Sequence, residues 1–211
     1  MLTLFTIFGL LSAIFSTAQY VPYIANVLRG KTRPERAGWF IWFVLGTVMF
    51  AAQLAKGGNQ SLWIILVHIV GNGLIFLLSF KFGDGGFNKR DKMTLAIAAG
   101  GIALWAITRE PTLALLVSIA VDALGAALIT IKAYKKPYEE TLVTWVLGTV
   151  AGVCSILAVQ NPASVLIIYP IYAALNSGVI VFAVVYSKWR LERKNSVADV
   201  EEFDEELEPA E

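Results

Sequence analysis

Apolar runs of about 20 residues recur along this chain, with short polar segments between them. A helix that crosses the hydrocarbon core of a bilayer needs about that many consecutive, mostly apolar residues. The composition agrees, because 57% of the 211 residues are hydrophobic and only 16% are charged, whereas soluble domains carry about 25% charged residues. The sequence therefore predicts an all-α integral membrane protein.

Seven transmembrane helices are predicted from these runs, at residues 2–28, 38–55, 61–82, 93–108, 113–134, 142–159 and 163–187. The first is interpreted as a mature helix and not as a signal peptide, since it has no basic segment in front of it, is too long and lacks a cleavage site. The run at 93–108 is the shortest, so it spans only with help from its flanks or a thinner bilayer.

The distribution of basic residues predicts the orientation of the chain. Fifteen of the 17 Lys and Arg residues lie in the first, third and fifth loops and the C-terminal tail, and only Lys56 and Arg109 lie in the alternate loops. Lys and Arg near helix ends favour the cytoplasmic side. The N-terminus is therefore expected outside and the C-terminus in the cytoplasm. Residues 192–211, rich in acids, are predicted to form a disordered cytoplasmic tail.

The two halves of the sequence resemble each other. The segment WFVLGTV at 42–48 corresponds to WVLGTV at 145–150, and Pro34, Ser61 and Asn72 correspond to Pro137, Ser164 and Asn176. Because three helices reverse direction an odd number of times, one extra span brings the second triplet into the orientation of the first. The pattern predicts two parallel three-helix repeats, at 1–82 and 113–187, joined by a linker helix at 93–108, a 3+1+3 arrangement.

Polar side chains within the predicted spans indicate a cavity, because polar groups inside a bilayer are costly and are often functional. His68 and Asn72 share one face of the third helix, and Tyr169, Tyr172 and Asn176 share one face of the seventh. We expect these five side chains to line a solute site between the halves. Interhelical hydrogen bonds that only hold the bundle together are the alternative for each of them.

Asp122 and His68 are the candidates for proton coupling. A carboxylate near mid-membrane must be protonated, paired or hydrated, and a histidine titrates near neutral pH. Asp122 lies in the fifth helix, at the position that corresponds to Gln19 in the first. Proline and glycine loosen helices where a carrier bends, and the candidate hinges are Pro22, Gly46, Gly125 and Gly148.

Catalysis and cofactor binding are not predicted. The chain has one His and one Cys, and its scattered acids suggest neither a metal-ligand cluster nor a nucleophile with a neighbouring base. No GxxxxGK[ST] phosphate loop occurs, so transport would draw on gradients rather than on ATP. We therefore expect no enzyme activity, no cofactor, no metal and no nucleic-acid partner.

The segment QYVPYIANVLRGKT at 19–32 and the 3+1+3 plan resemble the SWEET sugar transporters and the wider PQ-loop (MtN3/saliva) group, over residues 10–187. The resemblance implies a divergent member of bacterial type in the inner (plasma) membrane, which moves a small polar solute, such as a sugar, by alternating access. In that family an Asn on the third helix of each repeat lines the substrate site, which implies this role for Asn72 and Asn176.

The chain also departs from the family pattern. Tyr23 follows Pro22 where the family has the Gln of its PQ dipeptide, and Gly125 stands opposite Pro22 in the second repeat. In that family the aromatic side chain that packs on the sugar comes from well inside the second helix of a repeat, whereas Trp39, Trp42 and Trp145 lie near predicted cytoplasmic helix ends, as interfacial anchors do. Sugar as the substrate therefore stays open. A nicotinamide-riboside-type vitamin transporter and a non-transporting membrane scaffold or sensor are the alternatives, and a homo-oligomer is compatible with each.

Reporter fusions test the predicted topology. A reporter that fluoresces only in the cytoplasm is expected to be bright when it is fused after Lys92 or Lys194, and dark when it is fused after Arg109. Fluorescence after Arg109 would contradict the prediction, since residues 93–108 would then fail to span the membrane.

Overall fold

The structure, a computed structural model, describes residues 4–55, 62–85, 88–108, 111–159 and 167–207. Its helices are α1 (Leu4–Ala18), α2 (Tyr20–Leu28), α3 (Arg36–Ala55), α4 (Leu62–Phe82), α5 (Lys89–Thr108), α6 (Pro111–Lys135), α7 (Leu142–Ala158) and α8 (Ile168–Leu207), with a 3₁₀ turn at Pro137–Glu139. No strand occurs within these ranges, apart from one isolated bridge between Glu35 and Asp84. The all-α prediction is confirmed for the described residues.

Helix ends differ from the predicted spans in a few places. α5 begins at Lys89 rather than at residue 93, because Asn88 Oδ1 caps it by accepting the Asp91 N–H at 3.0 Å. Some of the predicted features lie outside the described residues, namely span ends at 2–3, 61 and 163–166, the Ser61 and Ser164 pair, and the basic residues Lys56 and Arg109.

The first predicted helix is interrupted at Gln19, between α1 and α2. Pro22 has no N–H to donate to the Ala18 carbonyl, and its ring clashes with that group. The interruption therefore falls within one turn of Pro22, while the Gln19 N–H still donates to Phe15 O at 3.1 Å. α6 has Gly125 at the corresponding position and is continuous.

The acidic tail differs from its prediction. Residues 192–207 were expected to be disordered, whereas α8 continues as one helix to Leu207. Glu, Lys, Arg and Leu all favour the helix. The preceding apolar part of α8 also supplies the first turns, so the unfavourable nucleation step is already made.

Within the described residues, two helical segments are long and apolar enough to cross a membrane, namely α1 with α2 (Leu4–Leu28) and the first part of α8 (Ile168–Ser196). Only 6% and 22% of their most apolar windows are buried within the protein, so most of their apolar side chains face outward. These helices indicate membrane association, and the seven-span topology stays a prediction.

The helices enclose two hydrophobic clusters, a larger one described below and a smaller one of Ala37, Ile41, Val121 and Leu128 between α3 and α6. α1 packs against α7, α3 packs against both α4 and α6, and α8 packs against α6 and α7, while α5 lies against α6. α2 contacts α4 and α7. The larger cluster contains Tyr20, Tyr23, Val27, Trp39, Ile75, Ile129, Ala133, Trp145, Ile180 and Val184.

Glycines permit two of these helix pairs to touch through their backbones. A Cβ atom at Gly152 would lie 2.6 Å from Cα and N of Ala174, and one at Gly38 would lie 2.7 Å from the Gly125 carbonyl oxygen. Small residues at helix interfaces allow such close approach. The close packing of α7 with α8 and of α3 with α6 therefore depends on the absence of a side chain at Gly152 and at Gly38.

Gly152→Ala is expected to lower stability by about 1–3 kcal/mol, because the added methyl group must displace the α8 backbone. Gly178→Ala is the matched control, since its Cβ would meet Thr149 Cγ2 at an ordinary 3.9 Å. That change should be neutral or stabilising by up to about 1 kcal/mol, because alanine favours the helix. Thermal unfolding in detergent compares the two variants, and equal losses would contradict the close contact.

Candidate functional site

Three of the predicted site residues form one hydrogen-bonded group between α6 and α8. The Tyr172 hydroxyl donates to Asp122 Oδ2 at 2.5 Å, and Asn176 Nδ2 donates to the same oxygen at a longer 3.5 Å. Tyr172 and Asn176 are one turn apart on α8 and so share a face. α8 therefore presents two donors to the single carboxylate of α6.

Trp42 of α3 fixes the main chain at this carboxylate. Its indole Nε1 donates to the Asp122 carbonyl oxygen at 3.1 Å. A Cβ atom at Gly125 would come within 3.0 Å of the same indole nitrogen. The predicted hinge Gly125 thus makes room for a tryptophan against a helix that is assigned without interruption from Pro111 to Lys135.

A second group lies in the first half of the chain. The Tyr20 hydroxyl donates to Asn72 Oδ1 at 2.8 Å, and both side chains are buried. The His68 ring meets the Tyr20 ring edge to face, with centroids 6.0 Å apart. A Cβ atom at Gly71 would lie 2.6 Å from the Tyr20 ring, so this glycine lets α4 approach the tyrosine.

Tyr20 is not among the residues predicted for the site. The polar face predicted for this helix contains Gln19, Pro22 and Tyr23, and Tyr20 lies beside that face. The available signal was a tyrosine among apolar residues within a predicted span, where its hydroxyl needs a partner. The ring of Tyr20 also meets that of His68, so one tyrosine contacts two of the predicted site residues of α4.

Tyr169 lies at the start of α8, on the outer edge of this site. Its ring centroid is 6.2 Å from that of Tyr172, and the side chain is 49% exposed. This tyrosine is therefore partly open to the surroundings of the bundle.

The remaining predicted hinges lie at helix contacts. A Cβ atom at Gly148 would be 2.8 Å from both Gln19 Oε1 and Ser177 Oγ, and one at Gly46 would be 3.1 Å from Ile69. Thr144 Oγ1 donates to the Gln19 carbonyl oxygen at 3.0 Å. Gly148 therefore lies where α7 and α8 meet the interruption between α1 and α2.

The opposite end of the bundle, formed by residues 29–35, 83–85 and 136–141, is here called the basic end. An aromatic cluster of Tyr23, Trp39, Trp42 and Trp145 lies between it and the site, with ring centroids 4.9 to 6.3 Å apart. Trp39 and Trp145 are 2% and 3% exposed. Their interpretation as interfacial anchors is wrong, because each indole N–H has a buried partner, Tyr23 Oη for Trp39 and Glu140 Oε1 for Trp145.

Glu140 also forms a buried ion pair. Its Oε2 lies 2.8 Å from Lys132 Nζ, and the two side chains are 0% and 3% exposed. Lys132 Nζ donates in addition to the Glu139 carbonyl oxygen. A buried pair is tolerated only when its hydrogen bonds are satisfied, and here the Trp145 N–H completes the set.

Contacts across the basic end join the first loop to residues 136–141. The Thr32 and Thr141 hydroxyls share a hydrogen bond of 2.5 Å, and the Arg33 N–H donates to Glu139 O at 3.0 Å. Lys136 Nζ lies 2.8 Å from Asp84 Oδ2. Because Thr32 and Thr141 are 1% and 3% exposed, this end is closed.

The Asp84 carboxylate responds electrostatically to this arrangement. Partial burial alone would raise the pKa of Asp84, but the Lys136 ammonium and the Gly85 N–H stabilise the charged form and hold its pKa below the usual value. The Lys136 contact therefore persists at neutral pH and is lost only in acid.

No family model, curated protein or solved structure matches the chain. Among the described side chains, no group of three His, Cys, Asp or Glu could hold a metal ion. The site presents two amides, tyrosine hydroxyls and one carboxyl. Such groups offer both donors and acceptors for hydrogen bonds to a polar molecule.

Tyr20→Phe tests the buried tyrosine of the site. It is expected to lower stability by about 1–3 kcal/mol, because the side-chain oxygen Oδ1 of Asn72 loses its buried donor. Tyr169→Phe is the control, since that side chain is half-exposed. A change in stability within about 0.5 kcal/mol is expected for it. Thermal midpoints in detergent measure both, and an unchanged Tyr20→Phe would contradict the bond.

Proposed function

We propose that the chain is a SWEET-like membrane carrier that moves a small, polar, mostly neutral solute, such as a sugar, by alternating access. It would span the membrane seven times in the 3+1+3 arrangement, with the basic end in the cytoplasm. The observation that carries the proposal is a hydrogen-bonded polar group in each half of the chain, Asp122 with Tyr172 and Asn176 in the second half, and Tyr20 with Asn72 in the first.

The packing pattern supports two equivalent halves. In the proposed repeat, α1 and α2 correspond to α6, α3 to α7, and α4 to α8. If the two halves are exchanged, the α1–α7 pair corresponds to α6–α3, the α3–α4 pair to α7–α8, and the α2–α4 pair to α6–α8. All six of these helix pairs are in contact. α5 lies outside the exchange, as a linker would.

Hydrogen bonds at the site support the same correspondence. The carbonyl oxygens of Gln19 and Asp122, equivalent in the repeat, each accept a side-chain bond from the second helix of the opposite half, from Thr144 and Trp42 respectively. Asn72 and Asn176 each bond to the first helix of their own half. Chance similarity of apolar segments would not be expected to reproduce both relations.

The closed basic end and the half-exposed Tyr169 support a mechanism. A solute enters past Tyr169, exchanges hydrogen bonds with Asn72 and Asn176, and packs against Tyr172. The halves then rock, the Thr32–Thr141 contact opens, and the outer end closes. Hydrogen bonds from the solute to the two amides favour the rocking motion only if the solute binds the closed state more tightly than the open state.

Proton coupling follows if Asp122 titrates during the cycle. Its carboxyl accepts from Tyr172 and Asn176, two residues that would also touch the solute. A proton on Asp122 would turn this acceptor into a donor. Solute binding and protonation would thereby be linked, and His68, whose ring packs against that of Tyr20, is the proposed proton relay.

Uptake into liposomes tests the carrier proposal. The purified chain is expected to take up one class from a labelled panel of sugars, amino acids and nucleosides that includes nicotinamide riboside. Asn72→Ala/Asn176→Ala should lower the rate about tenfold or more, since each lost charged or buried bond costs about 1–3 kcal/mol. Asn195→Ala, the same change at an exposed position of α8, is the control and should leave the rate unchanged.

The assay also separates the alternatives. Stimulation by an inward proton gradient that disappears in Asp122→Asn would support coupling, and equal rates in both proteins would exclude it. No uptake by folded protein, together with loss of a cellular activity on removal of residues 192–211, would instead favour the scaffold or sensor.

A cross-link at the basic end tests alternating access. Cys154, the single cysteine, is first replaced by alanine, and Thr32→Cys/Thr141→Cys is introduced. The two hydroxyl oxygens are 2.5 Å apart, so the replacing sulfurs come within reach of a disulfide. Oxidation is expected to stop uptake and reduction to restore it, while either single cysteine leaves uptake intact. Normal uptake by fully cross-linked protein would contradict the mechanism.

A further inference from the structure

An apolar groove runs between α6 and α8 on the outer surface of the bundle, near the basic end. Its volume is about 350 Å³, and it is lined by Thr130, Ile131 and Tyr134 of α6 and by Phe182, Ala183 and Tyr186 of α8. The Thr130 hydroxyl donates to the Ala126 carbonyl within its own helix. The groove is therefore apolar throughout its length.

The aromatic walls of the groove are held in place. The Tyr186 ring stacks on Tyr134 and on Phe182, with interplanar angles of 13° and 15°. Ser187 Oγ donates to the Tyr134 carbonyl oxygen at 2.5 Å. Phe182 is nevertheless 67% exposed, so the groove is preformed and open to its surroundings.

One cationic side chain, Arg190, lies at the mouth of the groove. Arg190 Nη1 donates to the Tyr134 hydroxyl at 2.7 Å, and the guanidinium lies 4.7 Å from the centre of that ring. Lys188 and Arg193 of the same helix lie over Tyr138 and Trp189, outside the groove lining. Arg190 takes part in no ion pair with a described carboxylate, so most of its five donors are left for an anion.

We propose that this groove binds an anionic phospholipid of the cytoplasmic leaflet, with an acyl chain against Phe182 and Ala183 and the phosphate on Arg190. Arg190 is eight residue steps beyond Phe182, which corresponds to a rise of about 12 Å along the helix. That distance carries the surface from hydrocarbon depth to the headgroup region. A guanidinium binds phosphate through paired donors, and basic residues at the cytoplasmic surface attract anionic lipids.

This site rests on the membrane orientation proposed above and not on transport. The charge at the mouth decides between occupants. A second copy bound through the same groove in a two-fold contact would bring Arg190 close to its own counterpart, where like charges repel. A lipid phosphate neutralises the guanidinium instead.

Native mass spectrometry of the purified full chain tests the proposal. The protein is released from detergent with phosphatidylglycerol or phosphatidylcholine of identical acyl chains. We expect it to retain phosphatidylglycerol about fivefold more strongly than phosphatidylcholine, because an effect of that size is the contribution of one basic residue at the membrane surface. Arg190→Gln should abolish the preference. Arg29→Gln, an exposed arginine of the first loop, makes the same charge change and should keep it.

Ala183→Leu fills the groove without altering the charge, and is expected to lower retention of both lipids. Elution volume and thermal midpoint establish that each variant is folded. An unchanged preference in Arg190→Gln, or unchanged retention in Ala183→Leu, would overturn the proposal. So would a dimer of the purified chain that Ala183→Leu dissociates, because a second copy would then occupy the groove. Failure of the uptake assay leaves these outcomes unaffected.

Discussion

The aromatic cluster of Tyr23, Trp39, Trp42 and Trp145 joins the two halves of the bundle, and the rest of the architecture depends on it. Buried indole N–H groups cost free energy unless they are paired. The three indoles therefore reach the Tyr23 hydroxyl, the Asp122 carbonyl and the Glu140 carboxylate. Through these bonds the cluster connects the polar site on one side to the ion pair of the basic end on the other.

The proposed repeat combines a symmetric plan with asymmetric chemistry. Asn72 and Asn176 are equivalent positions in that proposal, yet the first bonds to a tyrosine and the second to an aspartate. Two-fold repeats can rock against each other around a fixed site near the repeat interface. In the proposed carrier, a carboxylate in one half only would give the site a direction, because a proton bound there would affect one half more than the other.

Much of the site could be anticipated from helical periodicity. The three-to-four-residue spacing of Tyr169, Tyr172 and Asn176 predicts a shared face, and the structure brings two of them to Asp122. Periodicity does not say what lies opposite a face, and Tyr20 was missed for that reason. The same limit explains the tryptophans, since a position near a helix end is compatible with a lipid interface or with a neighbouring helix.

The sequence by itself determined the all-α class and the approximate positions of the helices, because apolar run length acts within a single segment. The interruption at Gln19 was not predicted, although the missing N–H of Pro22 that explains it is also a local property. Only the tertiary structure decided which helices touch, that Gly125 accommodates an indole, and that Trp39 and Trp145 are buried. These depend on atoms far apart in the chain, whose approach is set by the fit of two surfaces and by the pairing of buried polar groups.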